Sequence, residues 1–110
     1  MSFNVTGSLL EACVLGALEN APTYGYDLTQ KIQMAIDVSE STLYPVLRRL
    51  TKDGMLETYD EPFDGRNRRY YKITGRGEGV LKSAVLDWNN YKQSIDDLLN
   101  GIIKGGEEHE

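Results

Sequence analysis

Arg66, Arg68 and Arg69 fall within four consecutive positions of the stretch GRNRRYY, Gly65 to Tyr71, and Arg48, Arg49 and Lys52 fall within five positions upstream. Guanidinium and ammonium groups at that density donate charge-assisted hydrogen bonds and suit the oxygens of a polyanion. Ser41, Thr42 and Tyr44 add hydroxyl donors close to Arg48, and Gly65 allows backbone to approach a partner closely. None of this is covalent chemistry. The chain has no glycine-rich phosphate loop after a strand and no HExxH, and its one histidine, His109, is read as a tail residue. No nucleophile–base pair and no metal set can be assembled, so neither an enzyme nor a cofactor is expected.

The surrounding charge makes the clusters stand out. The 110-residue chain is formally −5, yet between Ser41 and Gly77 eight bases face five acids, a local balance of +3, while elsewhere four bases face twelve acids, a balance of −8. Binding to a polyanion depends on the field at the contacting face, so an acidic total does not exclude it. Asp60, Glu61 and Asp64 weaken that field beside the second cluster and argue against strong non-specific binding.

Several elements must position these groups. Asn4 to Asn20 is apolar on nearly every side through Leu9, Leu10, Cys13, Val14, Leu15, Ala17 and Leu18, and predicts a helix buried on two faces. Tyr24 to Ile36 predicts a second, shorter helix with Leu28, Ile32, Ala35 and Ile36 at helical spacing and Thr23 as N-cap. Ser39 caps a third, in which Leu43, Val46, Leu47 and Leu50 form the core stripe and Gly54 the stop. Its opposite face carries Ser41, Tyr44, Arg48, Arg49 and Lys52, and Pro45 predicts a local kink. MLETY and RRYYKI then read as two strands of a hairpin with DEPFDGRN as a longer loop between them. Strand alternation turns Tyr71 and Ile73 inward and Arg68, Tyr70 and Lys72 outward; Arg69 shares the inward parity and is open to pairing with an acid. Tyr24 and Tyr26 read as packing groups, with Tyr24 also placed to reach a phosphate at a helix start.

Thr74 to Lys104 predicts a final helix of about 45 Å, too long for so small a domain. Leu81, Trp88, Ile95 and Ile102 recur every seven residues, with Ala84, Tyr91 and Leu98 between them, a seam that asks for a partner helix and most simply a second copy. The lone Cys13 excludes an internal disulfide and reads as a small apolar residue. The N-terminus lacks a signal-peptide pattern and no apolar run approaches the roughly 20 residues of a membrane span, so a cytoplasmic, membrane-free protein is expected.

Three helices followed by a hairpin is the order of a winged helix-turn-helix. At YGYDL (Tyr24–Leu28), STLYPVLRRLTKDGMLE (Ser41–Glu57) and GRNRRYYKITGRG (Gly65–Gly77) the sequence resembles the PadR family of bacterial transcriptional regulators, over most of its first 80 residues. The single C-terminal helix resembles the short-tailed branch. The resemblance implies a mainly α fold with a small β-hairpin: a winged helix-turn-helix over 1–74, a long C-terminal dimerisation helix over 75–104, and a flexible tail at 105–110. It implies a homodimeric repressor of double-stranded DNA, with Ser41, Thr42, Tyr44 and Arg48 on the recognition helix, Gly65, Arg66 and Arg68 on the wing, and Tyr24, Arg49 and Lys52 as further contacts. It also implies release by a small molecule or stress signal and a ligand held in a cavity between subunits; the residues themselves offer Trp88, a gap at Ala84 and walls at Leu10, Cys13 and Val14 for a small planar aromatic effector, although Trp88 reads equally as core. The rival reading is a winged-helix module that binds protein and never touches DNA.

Overall fold

The structure, a computed structural model, describes residues 3–102. The expected tail at 105–110 with His109, and the expected helix end at 103–104, lie outside the described residues. The elements in chain order are α1 (Gly7–Ala17), β1 (Thr23–Tyr24), α2 (Gly25–Ala35), α3 (Glu40–Lys52), β2 (Leu56–Phe63), β3 (Arg66–Ile73) and α4 (Gly75–Leu99). This is a winged helix-turn-helix with a long C-terminal helix.

The core is one cluster fed by every long element: Leu10, Val14, Leu15 and Leu18 from α1 and its C-terminal end, Leu28 and Ile32 from α2, Leu43, Val46, Leu47 and Leu50 from α3, Leu56 and Ile73 from the sheet, and Leu81 from α4. The α3 stripe is buried as its spacing dictates, and the Ser39 hydroxyl accepts from the Thr42 N–H as the expected cap. Pro45 lies inside a continuous α3, and the carbonyl it leaves unpaired belongs to exposed Ser41, where water can replace the lost bond. Gly54, at φ 80°, ends the helix-to-strand passage in the left-handed region.

Three expectations need correction. The first helix is shorter than Asn4–Asn20, running only from Gly7 to Ala17. Thr23 does not cap α2: Thr23 and Tyr24 form β1 and pair antiparallel with Tyr71 and Tyr70, so the hairpin is part of a three-stranded sheet in the order β1-β3-β2. A β-branched and an aromatic residue against a waiting strand edge favour pairing over capping. The loop of the hairpin is also not DEPFDGRN. Strand pairing runs unbroken from Leu56↔Ile73 to Phe63↔Arg66, leaving only Asp64 and Gly65 to turn the chain. Both have positive φ, 52° and 78°, as the type I′ turn requires, and that turn matches the twist of the strands.

The fourth helix is fixed at its root. The Thr74 hydroxyl accepts from the Gly77 N–H at 3.0 Å and donates to the Gly54 carbonyl at 2.7 Å, while the Thr74 N–H donates to the Met55 carbonyl at 3.1 Å. Leu81, 6% exposed, closes α4 onto α1 beside Gly16. Beyond that turn the helix runs on alone, and the molecule reaches 68 Å along its longest axis against 32 and 21 Å across.

Candidate nucleic-acid interface

On the outward side of α3, Ser41, Thr42, Arg48 and Lys52 are exposed. Arg48 and Lys52 form neither of the ion pairs made by the described residues. Arg49 does: its guanidinium meets the Glu11 carboxylate at 2.8 Å, tying α3 back to α1. The pair holds one edge of the guanidinium, while the side chain stays 47% exposed. Glu11 was invisible to sequence reasoning, since the pair spans 38 positions and no local pattern connects them.

Tyr71 of β3 is half-buried and packs against the core. Burial pushes the Tyr71 phenol above its ordinary range, with Arg69 and Arg48 pulling it down and the Tyr44 hydroxyl pushing it further up. Tyr44 is half-buried and packs against the core. Gly25, the first residue of α2, is buried against this site: a Cβ there would sit 3.2 Å from the Tyr71 ring and 3.7 Å from the Arg69 carbonyl. Arg69 pairs with its cross-strand neighbour Asp60 at 3.3 Å, the acid partner its parity left open.

At the wing tip Gly65 and Arg66 are exposed, and Arg66 forms no ion pair among the described residues. Tyr24, Phe63, Asp64, Arg66, Asn67 and Arg68 line a groove of roughly 310 Å³. Arg68 is half-buried, its guanidinium carbon 3.8 Å from the Phe63 ring centre and 4.6 Å from that of Tyr24. The Tyr24 ring centre lies 6.0 Å from that of Tyr70, and Tyr70 stacks on Tyr59 at 5.5 Å. Phe63 is the member of this group that strand alternation did not single out, because its stretch read as loop.

The residues expected at the subunit seam divide. Leu81 lies in the chain's own core, whereas Trp88 (40% exposed), Tyr91, Leu98 (65%) and Ile102 present apolar surface, and Ile95 is half-buried. Leu10 and Val14, 2% and 0% exposed, have no surface left to wall a cavity; Cys13, Ala84 and Trp88 keep some. Burial raises the Cys13 thiol above its usual range, which favours the protonated form. An apolar groove of roughly 450 Å³ lies nearer the root of α4, lined by Glu19, Leu81, Lys82, Val85 and Leu86.

The family model for the transcriptional regulator PadR-like family matches residues 14–83, spanning α1 to the first turns of α4. The chain belongs to the PadR-like family. Its backbone is similar to the crystal structure of smu.1704 from Streptococcus mutans, with a TM-score of 0.85 and 38% identity over 96% of this chain and 99% of that one. It is also similar to a PadR-like transcriptional regulator of Bacillus cereus, at TM-score 0.74 and 31% identity over 82% of this chain and 90% of that one. A transcriptional regulator of Mycobacterium tuberculosis is 33% identical over 87 residues, 78% of this chain and 74% of the relative. This PadR-like chain is accordingly a transcriptional regulator and not an enzyme. Among its described residues no helix is long and apolar enough to cross a membrane.

Proposed function

We propose that this PadR-like protein is a homodimeric repressor that seats α3 of each copy in successive major grooves of a pseudo-palindromic operator, with the wing on the flanking backbone. One observation carries the reading. In an acidic chain, Arg49 and Arg69 are answered by carboxylates, while Arg48 and Lys52 on α3 and Arg66 on the wing stay exposed and outside both ion pairs. Ser41, Thr42, Arg48 and Lys52 act from the helix, Gly65 and Arg66 from the wing, Tyr44 supports α3 from the core, and Arg49 is engaged mainly with Glu11. Residues 1–74 form the DNA-binding part and 75–104 the dimerisation part, the protein working in the cytoplasm.

Dimerisation is supported by the far half of α4, where Leu98 and Leu99 are 65% and 78% exposed and continue the seam begun by Trp88 and Tyr91. An apolar stripe of this length on a helix that projects from its domain calls for a second helix. Trp88, only 6.5 Å from Tyr91 by ring centres, also gives a planar aromatic effector a surface to stack on, and wedging the seam changes the separation of the two recognition helices. The deciding experiment is a mobility shift on the promoter beside the protein's own gene. The wild type shifts it, and Arg66→Ala weakens the shift across sequences and lowers the salt slope by about one. The same duplex, titrated with planar aromatics while Trp88 fluorescence is followed, shows quenching and release in parallel; absence of any shift ends the DNA reading.

A further inference from the structure

Arg68 sits differently from the other cations of this surface. It is the third residue of β3, near the turn, and the rings beside its guanidinium come from the two neighbouring strands, Phe63 from β2 and Tyr24 from β1. Its register partner Glu61 is an acid, yet neither ion pair of the described residues includes Arg68. The guanidinium plane is held by aromatic faces, which suits arginine and leaves little of it to reach outward.

The location explains what such a contact does. β1 is two residues long and pairs only with Tyr70 and Tyr71, so the outer half of the hairpin, from Asp60 to Arg69, has no third strand. A two-stranded ribbon alone is marginal in water and twists readily. Arg68 bridges this unsupported part to Tyr24, the residue immediately before α2, and Tyr24 in turn touches Tyr70. Arg66, two positions further out on the same face, inherits whatever pitch the ribbon takes.

We propose that Arg68 is the positioning residue of the wing: clamped between Phe63 and Tyr24, it fixes the outer hairpin against the start of α2, sets where Arg66 is presented, and makes no phosphate contact itself. The inference rests on the wing docking proposed above, and its test separates the two. Operator binding is measured over a salt series for the full chain and for Arg66→Ala, Arg68→Ala, Phe63→Leu and the Arg68→Ala/Phe63→Leu double variant. Arg66→Ala lowers the slope by about one. Arg68→Ala and Phe63→Leu each weaken binding about three- to tenfold at unchanged slope, and the double variant is no weaker than the worse single one. A slope reduced by about one in Arg68→Ala, or additive losses in the double variant, overturns the clamp in favour of separate DNA contacts. The free protein gives an independent reading: the Arg68 side-chain protons resonate upfield under the ring currents of Phe63 and Tyr24, and Phe63→Leu relieves the shift. Ordinary shifts overturn the clamp even if the wing docks; upfield shifts with an inert Arg66→Ala keep the clamp and sink the docking.

Discussion

Gly77→Ala inverts the usual effect of this substitution. Alanine in place of glycine inside a helix ordinarily stabilises by about 1 kcal/mol. Gly77 lies in the first turn of α4 and is buried, and a Cβ built on it collides with the Met55 carbonyl oxygen and stands 2.8 Å from Cγ1 of Ile73. That oxygen cannot swing away, since it accepts from the Thr74 N–H at 3.1 Å. Overpacking against atoms that yield costs roughly 1–3 kcal/mol, and an obstacle made of backbone puts this site at the top of that range. The net loss is about 2 kcal/mol, or roughly 8–16 °C in melting temperature for a domain of this size. Gly79→Ala is the internal control: two positions along the same helix, its Cβ meets nothing within 4 Å, so it raises the melting temperature. Both are read by thermal unfolding followed by circular dichroism at one fixed protein concentration, because association shifts apparent stability. A Gly77→Ala protein melting at or above the parent would refute the argument that α4 is seated by close backbone contact.

Replacing Ile95 and Leu98 by glutamate places charges on the proposed seam, at several kcal/mol each if buried unpaired, and sedimentation should then show monomers; a monomeric parent protein sinks the seam instead. Glu11→Gln breaks a partly exposed pair worth at most about 1 kcal/mol, so stability barely moves, while the freed Arg49 leaves operator affinity unchanged or higher. Weaker binding in that variant would mean that the α1–α3 tie orients the recognition helix. Tyr71, whose phenol is pushed upward in the folded chain, contributes stability that is present below about pH 10, the unfolded value, and is lost as the pH climbs through the raised folded one. Tyr71→Phe removes that part of the alkaline limb in a pH series of unfolding midpoints, and an identical limb in both proteins rejects the assignment.

Periodic features are legible in the sequence. Leu43, Val46, Leu47 and Leu50 could only be one buried stripe, and Ser39 and Gly54 bracketed it, because helix spacing and capping are local properties. The hairpin was legible in kind and misjudged in length. Asp64-Gly65 is itself a two-residue turn signal, but Pro62 three positions after Tyr59 suggested a break, and an edge strand accommodates proline. What stayed hidden is what depends on distant partners: β1 needs Tyr70 and Tyr71 to exist, Arg49 is neutralised by a residue 38 positions away, and Leu81 looks like seam until α1 covers it. In the candidate site, residue type identified the cations, and only the fold separated the unanswered Arg48, Lys52 and Arg66 from those already held.

The joint at Thr74 bears on how a signal on α4 would reach DNA. Gly54 and Met55 between α3 and β2, the end of β3 at Ile73 and the first turn of α4 at Gly77 all meet there, linked by three hydrogen bonds of 2.7 to 3.1 Å through one threonine. A hinge needs residues free to change φ and ψ, and these are hydrogen-bonded or wedged. Rotation of α4 in a dimer therefore carries recognition helix and wing with it as one body. On that geometry an effector acting at the seam changes the distance between half-sites and leaves each half's contacts intact. Its signature is a dimer that loses affinity for one operator spacing while keeping its salt slope on another, whereas a flexible joint would weaken every spacing alike.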